Sequence, residues 1–174
     1  MDAKERLNAL EVALNNESRE REFYLKNAER TDNAVGKAMF KQIADEELEH
    51  YERLRQLHEK WEKKETWPET VPLKVKETII RDVLKDVLKT VDQKAESDED
   101  DLQAVRTAIE FEGKGAIYYA RLRDEVTDPK EKAFFELLAD IEHEHYTSLK
   151  DTEEYLVDPA SWYIKSEHHG LDGA

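Results

Sequence analysis

The stretch IADEELEHY at residues 43–51 returns 95 positions later as LADIEHEHY at residues 138–146. Each copy holds a Glu followed three residues on by a His, Glu47 with His50 and Glu142 with His145. Three residues turn an α-helix through about 300°, which leaves the two side chains of such a pair about 60° apart on one face. Around the first pair, Phe40, Ile43, Glu47, His50, Leu54, Leu57 and Trp61 advance by threes and fours. Around the second, Phe135, Leu138, Glu142, His145, Leu149, Thr152 and Leu156 do the same. That is the spacing of one helix face, and it carries polar, metal-ligating residue types to positions that the period assigns to a core.

Working outward, two more seams share this character: Leu7, Leu10, Leu14, Glu17, Arg21, Tyr24 and Ala28, then Leu102, Val105, Ile109, Glu112, Ala116, Tyr119 and Arg123. With the offset of 95, residues 7–54 align without a gap on residues 102–149 and share 15 identities in 48 positions. Such a repeat indicates a duplicated unit whose halves are related by an approximate two-fold axis. The junction inside each half is short, with Asn33 placed to cap one helix and Asp128-Pro129 to open the other, so each half is an antiparallel hairpin. The fold class is therefore all-α, a four-helix bundle over residues 1–157 with helices at about 2–30, 33–64, 98–126 and 129–157.

A crossover helix at about 73–95 joins the halves, after Trp67-Pro68 breaks the second helix and before Ser97 with its acidic followers caps the next. Its stripe of Ile79, Ile80, Val83, Leu84, Val87, Leu88 and Val91 packs on the bundle flank or serves a dimer contact. The tail 158–174 carries Trp162, Tyr163 and Ile164 and is expected to fold back on the bundle. His168 and His169 read as solvent-facing, with metal contact as the other reading.

Composition narrows the function. The chain has 174 residues, room for one domain, and its 27 basic against 42 acidic residues give a net charge of -15. A surface so acidic repels phosphate backbones and anionic lipid, which argues against nucleic-acid and membrane partners. Cysteine is absent, so the chain holds no disulfide, thiol nucleophile or iron–sulfur cluster, and a metal site must use His and carboxylates. No apolar leader opens the sequence, and no run approaches the roughly 18 apolar residues of a membrane span; a cytoplasmic location is expected.

The duplicated bundle gathers Glu17, Glu47, Glu112 and Glu142 with His50 and His145 in one core. Burying four carboxylates together without compensation costs many kcal/mol, and two divalent cations would neutralise them. One Glu from each of two helices plus Glu-x-x-His from each of the other two is the donor set of dinuclear carboxylate bundles. Mixed oxygen and nitrogen donors suit iron or manganese, with zinc also possible. A single E-x-x-H means little in a chain with 42 acids, but two copies at one offset, each joined by a repeated seam Glu, are hard to attribute to chance. Glu46, Glu49, His143 and Glu144 turn away from the seams and read as solvated surface, as does His58. Tyr24 and Tyr119, seven residues after Glu17 and Glu112, either donate hydrogen bonds to ligand carboxylates or simply pack.

Taken together, ALNNESREREFY (13–24), IADEELEHY, AIEFEGKGAIYY (108–119) and LADIEHEHY resemble the rubrerythrin-type branch of the ferritin-like superfamily over roughly residues 5–157. The resemblance implies two iron ions held by Glu17, Glu47, His50, Glu112, Glu142 and His145, reduction of hydrogen peroxide or oxidation of ferrous iron by dioxygen, and a homodimer. Rubrerythrins proper carry a rubredoxin-like cysteine domain; with no cysteine here, electrons are expected from a separate donor protein. They also place an extra ligand Glu one turn after the third-helix Glu, where this sequence has Gly115, while the repeat-related position is Glu20. Glu20 is accordingly a candidate catalytic residue beside Tyr24 and Tyr119. Gly113 and Gly115 reflect close packing or, at Gly115, open space through which the oxidant approaches. The Met that would bind haem in a bacterioferritin is Leu48. The leading expectation is a di-iron peroxidase; the competing ones are a ferroxidase that stores iron and a non-catalytic helical interaction module.

Overall fold

Each apolar seam needs a partner seam, and the chain provides one at the nearest point, the helix that follows a three-residue junction. The structure is a computed structural model that describes residues 3–63, 78–90 and 99–171, the side chains of residues 3 and 166–171 excepted. Its helices are α1 (Ala3–Arg30), α2 (Ala34–Glu62), α3 (Ile80–Leu88), α4 (Glu99–Glu125), α5 (Pro129–Val157) and α6 (Pro159–Leu171). α1 packs chiefly on α2 and α4 on α5, and the two hairpins meet through α1 with α4 and α2 with α5.

The caps sit where the repeat puts them. Gly36 N donates to Asn33 Oδ1 at 3.0 Å, and Lys130 N and Glu131 N donate to Asp128 Oδ1 at 2.8 and 3.2 Å. Each cap satisfies amides that the first turn of a helix otherwise leaves unpaired.

The apolar core falls into two clusters at opposite ends of the bundle. One surrounds the first junction with Tyr24, Val35, Met39, Phe40, Ile43 and Ala44, completed by Val105, Leu149 and Tyr155 from the other half. The second surrounds the other junction with Tyr119, Phe134, Phe135, Leu138 and Ala139, completed by Leu10, Leu54 and Leu57. The repeat relates them side chain by side chain: Tyr24 stacks on Phe40 at 6.1 Å between ring centroids, and Tyr119 stacks on Phe135 at 6.5 Å. Between these plugs lies a buried polar layer, Glu17, Glu47, His50, Glu112, Glu142 and His145.

The crossover helix is shorter than the sequence suggests. It runs only from Ile80 to Leu88 and lies against α2 and α5, with Ile80 and Leu84 buried on the flank. Thr78 Oγ1 accepts from Ile80 N at 3.2 Å at its start, and Thr90 ends it by turning both its amide and its hydroxyl onto Val87 O. Side chains of β-branched Thr compete for backbone groups in this way, which the apolar stripe does not reveal. The expected break at Trp67-Pro68, the stripe residue Val91 and the cap at Ser97 lie outside the described residues.

The C-terminal tail folds back, as a helix. Trp162 meets Tyr155 edge-on at 5.8 Å and donates Nε1–H to Asp151 Oδ1 at 2.9 Å, while Tyr163 Oη–H reaches Leu88 O at 3.4 Å. α6 thus ties the end of α5 to the end of α3. The backbone at His168 and His169 is helical, and their side chains lie outside the described residues. No helix among the described residues is long and apolar enough to cross a membrane.

Trp162→Ala removes a half-buried aromatic contact and a hydrogen bond without touching the polar layer. It should lower the stability by about 1–2 kcal/mol, read as a lower urea midpoint, with metal uptake unchanged.

Candidate metal centre

α1 and α4 each deliver one carboxylate to the polar layer, Glu17 and Glu112, and α2 and α5 each deliver a Glu and a His. Their ligand atoms form two quartets, Glu17, Glu47, His50 and Glu142 in one and Glu47, Glu112, Glu142 and His145 in the other, with all ligand atoms of a quartet within 4.8 Å of one another. Glu47 and Glu142 belong to both. Each quartet could hold one cation; the two would share these carboxylates, each completed by one Glu and one His of its own.

Distances agree with this division. His50 Nδ1 stands 3.3 Å from Glu17 Oε2, 3.4 Å from Glu47 Oε2 and 3.5 Å from Glu142 Oε1. His145 Nδ1 stands 3.2 Å from Glu112 Oε2 and 3.6 Å from Glu47 Oε1. The two imidazoles face each other with centroids 6.1 Å apart and planes 21° from parallel.

Whether these residues suit a metal pair is decided by their unmet bonds. Glu17 Oε2, both oxygens of Glu47, both oxygens of Glu142 and His50 Nδ1 are buried and have no hydrogen-bond partner. Buried polar atoms are nearly always paired, and leaving several unpaired in one place is costly unless a cation serves them. The donor set fits a dinuclear site with oxygen-rich coordination.

Protons do part of this work in the protein without metal. Burial, then the Glu47 charge, pushes Glu17 up to about 8. Burial followed by Glu47 and Glu112 holds Glu142 well above the carboxylate range. Burial also works to raise Glu47, but the neighbouring Glu17 carboxyl and the two imidazoles keep it ionised and below that range. Both histidines are held protonated against burial, His50 chiefly by Glu47 and His145 chiefly by Glu112.

The two tyrosines reach across the halves. Tyr24 Oη–H donates to Glu112 Oε1 and Tyr119 Oη–H donates to Glu17 Oε1, so the phenol of α1 orients the carboxylate of α4 and the phenol of α4 that of α1. Glu20 is largely buried but belongs to neither quartet; burial, then Glu47, Glu112 and Glu17, raises its carboxyl to about 9.

Residues 8–153 match the family model for rubrerythrin. The chain belongs to the rubrerythrin family. No curated protein and no solved structure matches it. Membership makes the bundle ferritin-like and implies a di-iron site, with which the two quartets are compatible. Within the matched residues the repeat pairs Glu20 of the first half with Gly115 of the second.

Two expectations are corrected by the geometry. Glu46 is not a solvated surface residue: its Oε2 lies 2.6 Å from His145 Nε2, and its Oε1 accepts from Gln42 Nε2 at 2.6 Å and from Ile79 N at 3.3 Å. Burial acts to raise its carboxyl, but His145 prevails and lowers it. One residue before a seam ligand, Glu46 turns about 100° from its own half's face and thereby meets α5 of the other half. The signal in the sequence was the broken repeat, Glu46 against Ile141. Gly115, for its part, does not leave open space: a Cβ there would stand 2.9 Å from Glu142 Oε2 and 3.2 Å from its Cδ. The glycine admits the Glu142 carboxylate that both quartets share. Gly113, by contrast, packs against the Tyr146 ring, 3.5 Å from where a Cβ would be. Glu49, His143, Glu144 and His58 have no place in either quartet.

Gly115→Ala should displace Glu142 while relieving a mid-helix glycine. The metal-free variant should be no less stable than wild type, and its metal affinity should fall by about tenfold, measured by equilibrium titration.

The metal-free protein should also lose stability as pH rises. Glu17 and Glu20 titrate at about 8 and about 9 when folded and near 4.5 when unfolded. Folding therefore takes up protons, a contribution fully present below 4.5 and lost through 8–9; ionised Glu47 acts oppositely, losing its contribution as pH falls below 4.5. Thermal melts from about pH 5 to 9 should show a falling Tm for the metal-free protein and a nearly flat one once metal replaces the protons.

Proposed function

We propose that this protein is a non-haem di-iron oxidoreductase that reduces hydrogen peroxide with electrons from a separate donor protein. The observation that carries the reading is the pair of quartets sharing Glu47 and Glu142, because two adjoining cation positions suit a two-electron reduction shared between them. Two ferrous ions held there would supply one electron each, so that one peroxide and two protons become two waters as both irons become ferric.

The protein's own groups would handle position and protons. Glu17 and His50 would hold one cation and Glu112 and His145 the other, with Glu47 and Glu142 available to both. Tyr24 and Tyr119 keep Glu112 and Glu17 from rotating as the charge of the centre changes. Glu20 sits beside the centre with its proton retained by burial and by its carboxylate neighbours, and can pass that proton to the departing oxygen. The apolar plugs above and below the polar layer exclude bulk water.

The competing ferroxidase reading uses the same centre and differs in the oxidant. Stoichiometric titration of anaerobic ferrous protein separates them. One peroxide per centre should be consumed rapidly, with dioxygen consumed far more slowly; preferential reaction with dioxygen and accumulation of ferric mineral would establish iron oxidation and storage instead. Glu20→Ala should slow peroxide consumption by about a hundredfold while two metal equivalents stay bound. Unchanged consumption would remove Glu20 from the proton path.

A further inference from the structure

Two of the positions at which the repeat is broken, Glu20 with Gly115 and Glu46 with Ile141, place a carboxylate beside the centre from one half only. Glu20 contributes no atom to either quartet. Glu46 acts directly on a ligand. We propose that Glu46 is a positioning residue that makes the two cation positions unequal, so that the position completed by Glu112 and His145 fills before the one completed by Glu17 and His50. This rests on the dinuclear reading of the site and goes beyond it.

Both ends of the His145 ring are held. Nδ1 faces Glu112 and Glu47, and Nε2 lies 2.6 Å from Glu46 Oε2. When Nε2 carries the ring proton and donates it to Glu46, the Nδ1 lone pair is directed into the quartet. The carboxylate acceptor also makes Nδ1 a better donor, which is how outer hydrogen bonds strengthen a metal-bound imidazole. Glu46 is itself fixed, since Gln42 and the Ile79 amide hold its other oxygen.

The His50 ring lacks this support. Its Nδ1 faces three carboxylates at 3.3–3.5 Å, but among the described residues none pairs with its Nε2. The position related to Glu46 is Ile141, buried and without a polar atom in its side chain. The remaining pieces are balanced: one seam Glu, one tyrosine hydrogen bond and the two shared carboxylates serve each position. The imidazole's outer partner is therefore the main difference between two otherwise matched quartets.

Anaerobic titration of the full metal-free chain with Co(II) tests this without any turnover. Wild type should bind two equivalents in steps separated by about 10- to 100-fold, the usual effect of an outer carboxylate on a ligand histidine. The tight step should survive His50→Gln and vanish in His145→Gln. At one equivalent, NMR should show a paramagnetically shifted imidazole N–H proton that exchanges slowly with solvent, and that proton should exchange faster in Glu46→Ala. Glu46→Gln keeps an acceptor but loses the charge, so its two steps should draw closer; in Glu46→Ala they should nearly merge through loss of the tighter one. Two equal steps in wild type, a tight step lost with His50 instead, or equal weakening of both steps in the Glu46 variants overturns the proposal. Uptake of fewer than two equivalents overturns the dinuclear reading as well, which keeps the two failures distinct.

Discussion

Four carboxylates and two imidazoles occupy the middle of this bundle, and everything else is arranged to make their burial tolerable. Isolated, any one of these charges would favour neutralisation or exposure over burial among apolar side chains. Together they compensate partly: the imidazoles hold protons, Glu47 stays ionised between them, and Glu17 and Glu142 retain protons of their own. Stability and function thus pull on the same atoms. The apolar plugs at either end supply the folding free energy, and the polar layer uses part of it to keep ligand atoms unpaired and close together.

The layer also needs both halves at once. Neither hairpin contains a whole quartet: the first cation position takes Glu142 from α5, and the second takes Glu47 from α2. Each tyrosine likewise crosses from its own half to the seam carboxylate of the other. A duplicated unit that must share ligands can vary its outer surface more freely than its inner faces, and the identities between the halves include Glu17, Tyr24, Glu47, His50 and their partners.

Much of this could be read from residue spacing because helices are local. The four long helices, both N-caps, the polar seam and the chemistry of its six residues follow from periods of three and four and from the offset of 95. What spacing could not show depends on neighbours distant in sequence. Glu46 lies off its own seam and finds its partner on the opposite hairpin, 99 residues away. Gly115 looks like missing bulk until Glu142, from the adjacent helix, is seen to fill the place. The crossover helix ends early because Thr90 captures a carbonyl, a competition between side chain and backbone that an apolar stripe does not register. The coiling of residues 159–171 into α6 is stabilised by contacts of Trp162 and Tyr163 with α5 and α3 as well as by Asp158, whose Oδ1 accepts from Ser161 N.

The three-residue junctions, closed by Asn33 and Asp128, have a meaning beyond economy. Surface connections generally accept extra residues, since a longer loop costs little. These connections act instead as phase references. A residue inserted just inside either cap would rotate the following helix by about 100° relative to its cap, carrying its Glu and His out of the shared layer and its apolar side chains into water. The turns are chemically ordinary, yet in a metal-binding bundle built by duplication their length is as constrained as the ligands themselves.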